Sequence, residues 1–206
     1  MYRVPSDVAF TPAVKLIQTA MGSRAGYAKL ERGRGWQTTL SPHLAEFIAG
    51  LDQFYLGTAS AAGQPYIQYR GGTAGFLKVL DDKTVGFADF GGNKQYITVG
   101  NLSENPKAFI FLMDYANKMR VTLWGTAKVI EYDPELLKRL ADPDYPAKVE
   151  RAIVFTIEAW DMNCHQHIHQ RFSEKQIAPV IKKLQDRIAE LEAQLANATK
   201  GESREK

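Results

Sequence analysis

Cysteine is almost missing from this sequence: Cys164 is the sole one in 206 residues. No intramolecular disulfide can form, and nothing in the composition points to an oxidising compartment. An excess of one charge is missing too. Lysine and arginine number 26 against 23 aspartates and glutamates, a formal net charge of +3. No dense basic stripe stands out, so nucleic acid is not an expected partner. No run approaches the ~20 apolar residues of a membrane-spanning helix, and no membrane partner is expected. Residues 1–15, MYRVPSDVAFTPAVK, contain neither an apolar core nor a small-residue cleavage site, so no secretory signal is read there. On that reading the sequons Asn101-Leu102-Ser103 and Asn197-Ala198-Thr199 are chance matches, and the expected setting is cytoplasmic. Several catalytic signatures are absent: Gly-x-Ser-x-Gly, His-Glu-x-x-His and Cys-x-x-Cys. Gly91-Gly92-Asn93-Lys94 lacks the adjacent Gly-Lys and following Ser/Thr of a nucleotide phosphate loop, and Gly71-Gly72-Thr73-Ala74-Gly75 is no dinucleotide fingerprint. ATP hydrolysis and Rossmann-type binding therefore have no support.

What is present fits one domain, since 45% of the residues are hydrophobic and a chain near this size buries roughly 70% of its extended surface. Thr11 before Pro12 reads as an N-cap with proline at the first helical position, and Val14, Ile17 and Met21 follow at helical spacing. A Gly- and Arg-rich stretch, 22–35, separates that helix from a second opened by Ser41-Pro42, with Leu44, Phe47, Ile48 and Leu51 as its stripe. The 22–36 segment reads as a lid carrying Arg24, Arg32 or Arg34, or else as a solvated loop.

The middle reads as strands: 54–59, 65–70, 76–80, 84–90, 107–115, 119–132 and 151–160, with a short helix at 95–103. Six or seven strands on short turns suggest a closed or nearly closed barrel, which removes exposed edges. A sandwich is the alternative. Near the C-terminus Ile177, Ile181, Leu184, Ile188, Leu191 and Leu195 are spaced four, three, four, three, four. That is a heptad seam suited to a parallel two-stranded coiled coil, although a helix packed on its own barrel has the same pattern.

Two segments suit an anionic ligand. Tyr66-Ile67-Gln68-Tyr69-Arg70-Gly71-Gly72 puts Gln68 and Arg70 on one strand face and Ile67 and Tyr69 on the other. Asp89-Phe90-Gly91-Gly92-Asn93-Lys94-Gln95 is a flexible strand exit leading into a helix start, where backbone N–H groups and a lysine make an anion site. Arg70 offers a forked second contact to a phosphate. An ordinary turn with a solvated lysine is the plainer reading. His165, His167 and His169 alternate, which would suit a metal or haem iron in an extended segment, although a loop of ordinary hydrogen-bonded histidines is the plainer reading.

At these segments the chain resembles the pyridoxamine 5′-phosphate oxidase-like superfamily of FMN-binding split barrels, and more narrowly its bacterial "pyridoxamine 5′-phosphate oxidase-related" branch. The resemblance rests on FYLGTASAAGQPYIQYRGGTAGFLKVLDD, VGFADFGGNKQYITVGNLSENPKAFIFLMDY, RVTLWGTAKVIE and AWDMNCHQHIHQRF, with Gln18-x-x-x-Gly22-Ser23-Arg24 before them. It implies a six-stranded antiparallel split barrel over residues 41–172, after an N-terminal helix and lid segment at 1–40. A C-terminal amphipathic or coiled-coil helix follows at 173–199, then a disordered tail at 200–206. It further implies a homodimer with FMN at the interface. Gln68, Tyr69, Arg70 and Gly71 match the strand bordering the flavin, and Asn93, Lys94 and Gln95 match the phosphate-binding loop. Asn101 matches a helix-end motif before Asn105-Pro106, and Arg120 stands where the parent oxidases carry a glutamine reaching the flavin from the partner. Trp124, His167 and Arg171 are further partner-side contributors. The Arg-His-Arg arrangement that grips phosphorylated substrate in the parent oxidases is not reproduced in 163–171, which speaks against vitamin B6 oxidation.

The function expected from this resemblance is FMN-dependent oxidoreduction of a small molecule, with no catalytic acid or base identifiable from sequence. The alternatives are a non-catalytic FMN carrier or sensor, a haem protein using the histidine group, or a deazaflavin in place of FMN.

Overall fold

The computed structural model describes residues 4–33, 35–163 and 166–202. Its contacts divide the chain into two units, residues 1–114 with 119–166, and residues 115–118 with 167–206. In the first unit the helix starts follow local chemistry. Helix α1 spans Pro12–Ala20, and Thr11 Oγ1 accepts from the Val14 N–H at 3.3 Å. The stretch 22–35 is not a loop: Arg24–Arg32 forms helix α2. Good helix formers dominate it, and the one interior glycine, Gly26, costs only about 1 kcal/mol relative to alanine. Helix α3, Pro42–Ala49, repeats the cap of α1, with Ser41 Oγ accepting from the Leu44 N–H at 3.1 Å.

Seven strands follow rather than six: β1 Gln53–Ala59, β2 Pro65–Gly71, β3 Lys78–Val79, β4 Thr84–Phe90, β5 Lys107–Asp114, β6 Met119–Ile130 and β7 Val149–Asn163. The expected strand at 76–80 shrinks to two residues because the Phe76 N–H bonds back to Thr73 O at 3.0 Å, closing a turn. Helix α4 is Ile97–Glu104, between β4 and β5, and a further helix, α5, occupies Pro134–Leu140. Sequence periodicity missed α5, although Asp133 caps it by accepting from the Leu136 N–H at 2.9 Å. No helix among the described residues is long and apolar enough to cross a membrane.

All pairings are antiparallel in the order β2-β1-β5-β6-β7-β4-β3. In a flat sheet β2 and β4 would stand five inter-strand steps apart, about 24 Å. Instead Arg70 of β2 donates to Asp89 of β4 at 2.5 Å and lies over the Phe87 ring. The sheet therefore curls until its two sides meet through side chains, an open barrel. Its interior is filled by Phe54 and Leu56 from β1, Ile110 and Leu112 from β5, Val121 and Leu123 from β6, Ile153 and Phe155 from β7, and Val85 and Phe87 from β4, all essentially inaccessible. Leu44 and Ile48 of α3 belong to the same core.

Closure needs one glycine in particular. A β-bulge falls between Trp124 and Gly125, and a Cβ on Gly125 would sit 2.0 Å from Thr156 O of β7. Only glycine allows strands β6 and β7 that approach.

In the second unit helix α6 runs Glu174–Glu202, so the helix continues past the expected boundary at 199; residues 203–206 lie outside the described residues. All six seam residues, Ile177 to Leu195, are 38–66% exposed.

Candidate functional site

Register explains how polar groups come to one mouth of the barrel. Gln68 and Arg70 pair with Leu56 and Phe54, and directly opposed residues share a sheet face. Both therefore share one face, as the alternation predicted, and that face is the inner one. On the far side of the curl Asp89 pairs with Arg151 beside the inward-facing pair Phe87–Ile153. The register shifts between Asp89 and Phe90, and bulges of this kind re-aim side chains at sheet margins.

The result is a cleft of about 230 Å³ lined by Tyr66, Gln68, Arg70, Asp89, Lys94 and Glu150, among others. Asp89 sits between two guanidiniums, with Arg70 at 2.5 Å and Arg151 Nε at 3.7 Å, all three side chains at most 12% exposed. Arg151 also donates to Glu150 at 3.0 Å, approaches Glu131 at 3.5 Å and stacks over the Tyr96 ring at 5.2 Å. The buried Nε atoms of Arg70 and Arg151 have no hydrogen-bond partner among the described residues.

The loop from Gly91 to Tyr96 forms one wall. Lys94 and Tyr96 both adopt left-handed backbone, at φ 59° and 53°. Such conformations cost bulky L-residues about 1 kcal/mol or more each and gather at ligand clamps. Asn93 Oδ1 accepts from the Gln95 N–H at 3.2 Å, which tightens the turn. Thr98, in the first turn of α4, donates to Gln68 Oε1 at 2.8 Å. That bond fixes the amide of Gln68 at the cleft wall.

Of the residues singled out in the sequence, Gln68, Arg70, Asn93, Lys94 and Gln95 line this cleft. Tyr69 is on the opposite face of β2, 59% exposed, edge-on to Tyr55 at 5.8 Å. Gly71 ends β2, where a Cβ would meet the Tyr69 ring at 2.9 Å. Asn101 is buried outside the lining and ties α4 to β1 by donating to Thr58 Oγ1 at 3.0 Å. Arg120, the second residue of β6, lies opposite Met113, and its buried Nε is unbonded among the described residues. Trp124 stacks on Trp36 at 4.4 Å and meets Phe109 edge-on at 5.2 Å, remote in register from the mouth. His167 and Arg171 belong to the second unit, where His167 has φ 62° and Arg171 covers the Tyr115 ring at 5.0 Å. His169 is exposed and His165 lies outside the described residues. Among the described residues no group of three or more His, Cys, Asp or Glu is placed to hold a metal ion.

Sequence reasoning missed Arg151, Glu150 and Tyr96. Arg151 reads as one residue in an apolar strand, and only the β4–β7 register sets it against Asp89. The motif Gln18-x-x-x-Gly22-Ser23-Arg24 proves structural: Arg24 donates to Gln18 at 2.8 Å and to Glu31, which also accepts from Ser6 at 3.1 Å. Burial acts to raise the Glu31 pKa, but these bonds and the charges of Arg24 and Lys15 outweigh it and hold the carboxyl below its ordinary value. Asp161 of β7 shifts the other way: half-burial raises its pKa, only partly countered by the Met162 N–H.

The fold recurs in solved structures. HupZ of Group A Streptococcus is 18% identical, with 65% of this chain and 99% of that chain covered and a TM-score of 0.50. An FMN-binding protein from Syntrophomonas wolfei is 17% identical over 71% of this chain and 97% of its own, with a TM-score of 0.46. HutZ, the heme storage protein from Vibrio cholerae, is 17% identical over 57% and 89%, with a TM-score of 0.38. No curated protein matches by sequence. Residues 40–164, which hold the whole run from α3 through β7, match the pyridoxamine 5′-phosphate oxidase family, and the chain belongs to that family.

Proposed function

We propose that this protein binds FMN, with the phosphate end in the cleft at the barrel mouth, and works as an FMN-dependent oxidoreductase on a small substrate. The observation that carries the reading is the meeting of Lys94, on a left-handed loop, with Arg70 and Gln68 from the facing strand. The donor set fits a phosphate monoester. Lys94 supplies an exposed cation, Gln68 an oriented amide, and Arg70 a guanidinium whose buried Nε is without a protein partner among the described residues.

One chain's cleft is smaller than the ~300–1,000 Å³ usual for a whole ligand, so it suits one end of the flavin, with a second copy enclosing the rest. Ile67 and Tyr69, 69% and 59% exposed on the edge strand β2, offer such a copy an apolar margin. Arg120 is the cation this homodimer would present to the partner's site. When bound, the flavin supplies two-electron hydride transfer. Arg151 holds Asp89 and Tyr96 in place, and Asp89 fixes the fork of Arg70.

A second reading, FMN binding without turnover, is favoured by one observation. The carboxylates in the cleft, Asp89 and Glu150, are both ion-paired with arginine, and each serves to hold that arginine in place.

Lys94→Ala tests the cofactor cleanly, because the side chain carries no ion pair among the bridges described. Loss of one charge-assisted phosphate contact, about 1.5–3 kcal/mol, weakens FMN roughly 10- to 100-fold in a fluorescence titration. Unchanged affinity would remove the phosphate from this cleft. Arg70→Ala is the poorer test, since stranding the buried Asp89 costs stability in its own right.

A further inference from the structure

We infer that α6 pairs with α6 of a second copy of this chain as a parallel, in-register coiled coil locked by Arg187 and Glu192. The inference goes beyond the cofactor reading and does not depend on it. In heptad terms Ile181, Ile188 and Leu195 take position a, and Ile177, Leu184 and Leu191 take position d. All six are 38–66% exposed. Isoleucine at a with leucine at d is the pairing that favours two parallel strands.

Charge selects the partner and its direction. Arg187 falls at position g and Glu192 at position e of the following heptad. In a parallel in-register dimer each g residue faces the e residue five places on in the other helix, so Arg187 meets Glu192, and two-fold symmetry makes the contact twice. Antiparallel packing opposes g with g and e with e, so the g residues Val180, Arg187 and Gln194 meet only one another, and so do the e residues Ala178, Gln185 and Glu192. No opposite charges meet in that arrangement.

The remaining polar residues agree with the frame. Lys182 and Asp186 pair at 3.7 Å and Arg187 and Glu190 at 2.8 Å within one helix, with Lys182, Asp186 and Glu190 at outer positions b, f and c. Pro179, which interrupts the helical ladder, falls at the outermost position f. Ala198 at the next d position ends the seam.

The test is Leu191→Cys in the 206-residue chain carrying Cys164→Ser. In the parallel register residue 191 faces its own copy. In an antiparallel dimer centred on the seam it faces the level of Ile181, about 15 Å away along the axis. Under mild oxidation the expected result is a disulfide-linked dimer on a non-reducing gel, abolished when Ile188→Asp is added. Arg187→Glu should slow linking, and adding Glu192→Arg in the same chain should restore it. Tryptophan fluorescence, from Trp36, Trp124 and Trp160 of the barrel unit, verifies that each variant is folded. An unlinked but reagent-accessible thiol would overturn the proposal, as would linking that Ile188→Asp leaves unchanged. Failure of the charge swap to restore linking would overturn the Arg187–Glu192 lock. FMN affinity enters none of these readouts, so failure here leaves the cofactor reading standing, and the reverse.

Discussion

The barrel and the C-terminal helix carry apolar patterns of similar regularity, and they differ in exposure. Alternate residues of β1, Phe54 and Leu56, are fully buried by strands of the same molecule. The Ile/Leu stripe of α6 is exposed at every position from Ile177 to Leu195. Burial contributes about 25 cal/mol per Å² of apolar surface removed from water; the barrel strands collect it from one another, while the seam residues keep 38–66% of their surface accessible. A regular pattern thus reports that a surface suits covering, and in the barrel unit it is strand pairing that covers the one on β1.

The largest expected effect follows from that contrast. Phe155→Ala removes a ring with no solvent exposure and should cost about 3–5 kcal/mol of barrel stability. Leu184→Ala, in the seam, should leave the barrel's unfolding midpoint where it was. Denaturant titrations followed by tryptophan fluorescence compare the two. Equal losses would mean that helix and barrel unfold as one block.

Next in size is Asn101→Ala. It leaves Thr58 buried without its partner, an effect of about 1–3 kcal/mol on unfolding. FMN affinity should change far less than in Lys94→Ala, because Asn101 is outside the cleft lining. A selective loss of FMN binding with unchanged stability would instead make Asn101 a ligand residue.

Asp161→Asn should have the smallest effect, and its sign is set by pH. Half-burial raises the Asp161 pKa in the fold, so the folded state holds this proton more tightly than the unfolded one. Ionisation then costs stability progressively as pH rises from the unfolded pKa through the folded one, and the full cost stands at neutral pH. The amide, which stays neutral, should therefore raise the unfolding midpoint at pH 7 and lose its advantage in acid. Glu31 has the opposite sign. Its lowered pKa contributes stability above its ordinary value, and that contribution is lost as pH falls through the folded one.

Local chemistry was the legible part of the sequence. Thr11-Pro12 and Ser41-Pro42 announced α1 and α3 because a cap and a proline act within one turn. The alternation in β2 separated Gln68 and Arg70 from Ile67 and Tyr69 correctly, since side-chain direction along a strand is a backbone property. What the sequence concealed depends on register or competition. Arg151 becomes part of the cleft only through pairing 62 positions away with Asp89. The 22–35 stretch looked irregular from its glycines and arginines, yet the intervening Ala, Tyr, Leu and Lys suffice for α2. Likewise the left-handed backbone at Lys94 and Tyr96 has no signature in residues that rarely adopt it.

The most direct measurement is the absorption spectrum of the freshly purified protein, with identification of any chromophore it releases. Bound flavin, released as FMN, with saturation at one FMN per chain after reconstitution, is the result expected from the Lys94–Arg70–Gln68 cleft. A colourless chain that refuses added FMN, or a haem spectrum in its place, would contradict it.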